Sequence, residues 1–167
     1  MTLYSLIKKL DNKIGLQSVS AHCDIPCKIY DPAQAQVAVL SILRFIDLIA
    51  EIEAKGQLSI ADHAQLSRLV REKEIHAAKV KDEIRGIWGD YFKQPQFEQV
   101  EGVHDLVHTI MLKASACKQH ISREPAEALL NLVNQFAAAF WLTKGVSTFT
   151  ATCPYPPSEQ VVYPDLK

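Results

Sequence analysis

Apolar residues recur every three or four positions in four long stretches of this chain, the spacing of a helical face. The first stretch carries Val37, Leu40, Leu43, Ile46 and Ile49, with Val39, Ile42, Phe45 and Leu48 beside them. That surface is wider than one amphipathic stripe, so it predicts a helix buried on more than one side, in a bundle that also oligomerises. Asp31 is placed to cap it, Pro32 suits the first helical position and Gly56 ends it. Ser59 caps a second helix running to about Trp88, with Asp62 three residues on to complete a capping box. This helix is more polar, and Arg71-Glu72-Lys73-Glu74 reads as a solvated face. Gly89 to Gln99 reads as a loop, Val103 to His120 as a third helix. Ser122 caps a fourth through Leu129, Leu132, Val133, Phe136, Phe140 and Trp141, stopping at Gly145. Long helices with short connections predict an all-α, antiparallel up-down four-helix bundle over residues 32–145. Pro154, Pro156, Pro157 and Pro164 make residues 146–167 an extended, irregular tail.

Composition narrows the function. A chain of 167 residues is one domain with room for a sizeable core. Its net charge of −1 gives no basic footprint for nucleic acid. No apolar run approaches the roughly 20 residues of a membrane span. Four cysteines do not make a disulfide scaffold in a chain this long, and their local clustering points to a metal or redox site in a reducing, cytoplasmic setting. Cys117 falls in a helix and Cys153 in the tail, and neither gains a role from its surroundings. At the start, Leu3, Leu6, Ile7 and Leu10 have helical spacing, but Lys8, Lys9 and Lys13 interrupt the apolar core that a secretory signal needs. The small residues Val19-Ser20-Ala21 end this stretch. Residues 1–21 therefore read as a pro-segment removed by a cytosolic protease cutting after Ala21, the alternative being an N-terminal helix that stays attached.

The chemistry concentrates in His22-Cys23-Asp24-Ile25-Pro26-Cys27-Lys28-Ile29-Tyr30-Asp31-Pro32. Cys23 and Cys27 are soft thiolate donors, His22 adds an imidazole, and Pro26 bends the loop between the sulfurs. Cleavage before His22 would add a free α-amine, with a pKa of about 8. Three side chains are one short of a closed zinc site, so backbone nitrogen or water completes the set, or the loop holds no metal. A Cys23–Cys27 disulfide and two unrelated buried cysteines are the competing readings. Thiolate with nitrogen suits nickel or copper better than magnesium or calcium. His104 and His108 stand four apart on one helix face but have no third ligand.

This string resembles the nickel hook of the nickel-containing superoxide dismutases, whose mature chains begin at the residue matching His22. Trp88-Gly89-Asp90-Tyr91-Phe92-Lys93-Gln94-Pro95-Gln96-Phe97 is similar to a second family segment, W-S-D-Y-F-K-P-P-x-F. Weaker similarity runs through His104-Asp105-Leu106-Val107 to Trp141-Leu142-Thr143-Lys144, so the resemblance covers residues 22 to about 145. It implies a hook over 22–30, a four-helix domain and a homohexamer, with one nickel ion per subunit. The implied reaction converts superoxide to O₂ and hydrogen peroxide by cycling between Ni(II) and Ni(III).

By the same resemblance, His22 gives its α-amine and an axial imidazole, Cys23 a thiolate and its amide nitrogen, and Cys27 the second thiolate. Pro26 shapes the hook and Asp24 helps hold it. Tyr30 and Tyr91 stand over the open face of the metal, and Lys28 and Lys93 are candidates for steering the anionic substrate. Three positions depart from the family. Lys28 replaces a usual Gly. Ala38 stands where the family has a Glu supporting the axial imidazole, and His76 where it has an Arg. Those departures keep two alternatives open, a nickel- or copper-binding hook protein with reduced or lost turnover, and a Cys23–Cys27 thiol redox module.

Overall fold

Asp31 starts the first helix through its side chain. In the computed structural model, which describes residues 28–167, its Oδ1 accepts a hydrogen bond from the Ala33 N–H at 2.8 Å. Helix α1 then spans Ala33–Glu53, one residue later than the Pro32 start expected from sequence. Gly56, at φ 75°, supplies the left-handed residue that ends the turn beyond it. Helix α2, Ile60–Gly86, opens on the expected capping box: the Asp62 N–H donates to Ser59 Oγ at 3.2 Å and the Ser59 N–H to Asp62 Oδ2 at 3.0 Å. Helices α3 (Gln94–Gln99), α4 (Val103–Gln119) and α5 (Arg123–Thr143) follow. Ser122 sits at the cap position of α5, but its hydroxyl makes no capping bond. The pro-segment 1–21 and the hook up to Cys27 lie outside the described residues.

The four long helices close a ring in which α1 packs on α2, α2 on α4, α4 on α5 and α5 back on α1. This is the bundle that the periodicity predicts. Its core is dry and aromatic at one end, with Phe92, Phe136 and Phe140 fully buried, and aliphatic elsewhere through Ile42, Leu43, Ile84, Ile110 and Leu129. None of the helices among the described residues is long and apolar enough to cross a membrane.

Three expectations need correction. The Gly89–Gln99 stretch is not a plain loop. Helix α2 continues into one π turn, Ile87–Tyr91, closed by Phe92 N–H donating to Ile87 O at 3.3 Å, and α3 follows. The wide turn lets Phe92 enter the core, where it meets Phe136 with ring centroids 5.7 Å apart. Second, Lys73 does not belong to a solvated face. It is 1% exposed, and its Nζ donates to the carbonyl oxygens of Cys117 and Lys118 at the C-terminal end of α4. A cation there complements the negative end of the helix dipole, while burial pushes the Lys73 pKa down.

Third, residues 146–167 are not an irregular tail. Strands β1 (Thr148–Thr152) and β2 (Gln160–Pro164) form an antiparallel hairpin, with Thr150 opposite Val162. Three of the prolines lie in the connection between the strands and the fourth at the end of β2, so they punctuate the hairpin without interrupting it. The stretches between them are rich in β-branched and aromatic residues.

The hairpin is joined to the bundle by a buried amide pair. Gln36 Nε2 donates to Asn134 Oδ1 at 3.0 Å and to Val162 O at 2.8 Å. Asn134 Nδ2 donates to Gln160 O at 2.9 Å, and its Oδ1 accepts from Val162 N–H at 3.2 Å. Between these bonds Val161 enters the core, as does Cys153, whose Sγ donates to Tyr155 O. Arg123 adds a charged tie, pairing with Asp47 of α1, Glu127 of α5 and Glu159 beside β2. Much of the breadth of α1 is thus covered from within the chain, by α2, α5 and β2. Replacing Asn134 by Ala takes one of the two bonds of the Gln36 amide and strands Gln160 O and Val162 N–H, and an unpaired buried polar group costs about 1–3 kcal/mol. Asn134→Ala should lose roughly that much stability, read as a lower urea midpoint with an unchanged α-helical spectrum.

Candidate metal centre

The chain enters the described part of the structure at Lys28, whose φ of 58° is left-handed. A residue with a Cβ is strained there, whereas glycine adopts this conformation freely. This accounts for the Gly that the hook family usually carries at the position. Lys28 is exposed, and two residues on the chain lays Tyr30 against the bundle.

Tyr30 meets Tyr91 there, their rings 5.8 Å apart and inclined at 48°. Tyr91 sits on the π turn and is wedged between Phe140, at 4.9 Å, and Phe92, at 5.4 Å. Its hydroxyl lies 2.8 Å from Thr143 Oγ1, and the Thr143 hydroxyl donates to Phe140 O at 2.7 Å. Because Thr143 spends its hydrogen on Phe140, the Tyr91 hydroxyl is the donor in the first bond. The phenol oxygen of Tyr91 therefore keeps its lone pairs for an approaching donor. Lys144 Nζ lies 4.3 Å from the centre of the Tyr91 ring and 5.6 Å from that of Phe140, a cation over two aromatic faces.

Tyr30 and Tyr91, sixty-one positions apart in sequence, are the two predicted site residues that the described fold brings together. Lys93 is exposed two residues beyond Tyr91, its Nζ donating to Gly89 O at 2.8 Å. His76 does not join them. It stands about four helical turns before Tyr91, roughly 22 Å at 1.5 Å per residue. Its ring packs on Phe45 at 5.1 Å and its Nδ1 lies 2.8 Å from Glu72 O. Ala38 is buried in the core and brings no polar atom. His22, Cys23, Asp24, Pro26, Cys27 and the Ala21 cleavage point lie outside the described residues.

Thr143 and Lys144 are functional neighbours that the sequence reading passed over. A lysine just past a helix end reads as a dipole cap, which hid its position over Tyr91. His104 is explained without metal: its Nδ1 accepts from Trp88 Nε1 at 3.1 Å and its ring stacks on Phe97 at 4.4 Å, organising the segment around Tyr91. Cys117 and Cys153 are buried and free, and burial pushes the Cys117 thiol up to about 11, so it stays protonated and inert. Among the described residues no three His, Cys, Asp or Glu side chains gather as a metal site. The thiolate and nitrogen donors that the sequence offers, a set that suits nickel or copper, all lie before Lys28.

The family model for nickel-containing superoxide dismutase matches residues 17–144. The nickel superoxide dismutase of Streptomyces coelicolor is 36% identical over 129 residues, covering 76% of this chain and 91% of the relative. That of Streptomyces seoulensis is 36% identical over 126 residues, covering 75% and 90%. A solved native nickel superoxide dismutase superposes with a TM-score of 0.64 at 32% identity, over 74% of this chain and 99% of that one. A metal-free form superposes at 0.62 with 29% identity, over 70% and 98%.

Holding Lys28 in the left-handed backbone costs about 1 kcal/mol, which as an affinity is a factor of a few. Lys28→Gly should bind nickel a few-fold more tightly, whereas Lys28→Val should bind it more weakly. Competition with a chelator of known affinity measures both.

Proposed function

Because the chain belongs to the nickel-containing superoxide dismutase family, and is an enzyme that dismutates superoxide with nickel as cofactor, we propose that its centre forms in the hook after a protease cuts between Ala21 and His22. The cut frees the His22 α-amine, which joins the Cys23 amide nitrogen and the Cys23 and Cys27 thiolates as donors. Pro26 and Asp24 shape and hold the loop. Nickel bound there supplies a one-electron couple that removes an electron from one superoxide and returns it to the next. Subunits assemble as a homohexamer in the cytoplasm, each holding one ion.

The observation that carries this reading is the Tyr30–Tyr91 pair at the hook's exit. Two rings at that separation are in contact and make an aromatic wall beside the hook's exit, which hinders larger reductants more than a diatomic anion. Tyr91 is fixed by the bond its hydroxyl donates to Thr143, which leaves its oxygen to accept from the water that delivers the protons peroxide formation consumes. Lys28, Lys93 and Lys144 place positive charge around the approach, and a local field raises the encounter rate of an anion. Ala38 and His76 leave the His22 imidazole without the supports named above. Loss of such partners commonly costs 10–100-fold in metal affinity or activity, which favours slower turnover than in relatives that keep them.

The test uses protein trimmed to His22 and reconstituted with nickel. Superoxide decay should be rapid in the trimmed protein and absent in the uncut chain. Cys27→Ser should abolish both nickel uptake and turnover while leaving the helical spectrum unchanged. Full activity in that variant, or in protein that still begins at Met1, refutes the assignment.

A further inference from the structure

We propose that strand β1 is a pairing edge for a second copy of this chain, so that two hairpins join into one four-stranded antiparallel sheet. The register of the hairpin shows which backbone groups are free. Cys153 N–H donates to Glu159 O and Asp165 N–H to Ser147 O, so residues 147 and 153 turn their backbone toward β2. With Thr150 opposite Val162, the alternation makes Phe149 and Ala151 inward-facing as well. Thr148, Thr150 and Thr152 therefore present their N–H and C=O groups to the outer edge, and none of these groups meets a partner among the described residues.

The opposite edge, along β2, is already taken. Asn134 and Gln36 occupy Gln160 O, Val162 N–H and Val162 O, so the bundle flanks the hairpin on that side and β1 is left outermost. Natural edge strands are blunted by lysine, proline or a bulge. Thr148-Phe149-Thr150-Ala151-Thr152 has no charge, proline or glycine, and its residues favour the extended state.

The sequence of the edge is complementary to itself. A two-fold axis through Thr150 sets Thr150 against Thr150 of the partner subunit and Thr148 against Thr152 of the partner subunit. These are the outward-facing residues, so the three pairs close about six hydrogen bonds. Phe149 then lies across from Ala151 of the partner subunit in the closer, non-hydrogen-bonded pairs, a large side chain against a small one. Phe149 is 51% exposed in the single chain, stacked on Tyr163 on one side only, and this pairing covers its other side. No like charges oppose each other anywhere in the register. The hairpin lies beyond the family match, which ends at residue 144, so this contact is additional to any the bundle makes.

Sedimentation mass and hydrogen exchange on the full chain test the proposal. Thr150→Pro removes an outward N–H without touching the β1–β2 ladder, and Thr150→Lys sets two like charges across the axis. Both should lower the assembly mass with the helical spectrum unchanged. In the unaltered protein the 148, 150 and 152 amides should be protected at high concentration and lose protection on dilution. Unchanged mass in both variants overturns the proposal. So does exchange at the unprotected rate at every concentration, or protection that is independent of concentration and marks a partner within the same chain.

Discussion

The burial of α1 governs how the metal hook leaves the bundle. This helix begins five residues after Lys28, and its apolar surface is too broad for one neighbour. It is satisfied only when α2, α5 and β2 are all in place around it. Once α1 is locked between them, the direction of the chain at Asp31 is set, and Tyr30 is carried onto Tyr91. The tyrosine pair is therefore a by-product of core packing, and precise placement costs the site little entropy of its own. Tyr91 is held in turn by Phe140 and Thr143 at the far end of α5, so the approach to the first helix and the end of the last are joined through one ring.

Most of the bundle was legible because its signals are local. The Ser59–Asp62 box, the Asp31 side chain and the helical apolar spacing each act within a few residues and appear where sequence puts them. Both tyrosines were read from the hook string and the Trp88–Phe97 segment, and the fold joins them. What escaped depends on distant partners. Lys73 looks like part of a charged surface run until α4 brings the carbonyls of Cys117 and Lys118 to its ammonium. The prolines of the last twenty-two residues suggested an open tail, since nothing in that stretch announces Asn134 as its anchor. His76 was matched to an arginine of the family, and helix geometry places it four turns before Tyr91.

Two lysines illustrate how surroundings decide what a charge does. Lys73 is sealed inside, where desolvation lowers its pKa and the carbonyl dipoles of a helix end are its compensation. Lys144 sits just past a helix end as well, but on the aromatic faces of Tyr91 and Phe140, whose ring quadrupoles are its partners. One lysine is an internal brace and the other a surface electrode.

The bonds between Gln36 and Val162 join residues 126 positions apart. During synthesis the groove between α1 and α5 has no strand to fill it until residues 160–162 have left the ribosome. A nascent chain can stack its helices early, yet the groove beside α1 is finished only when β2 arrives. Closure of the core therefore trails the formation of α1 by more than a hundred residues of synthesis.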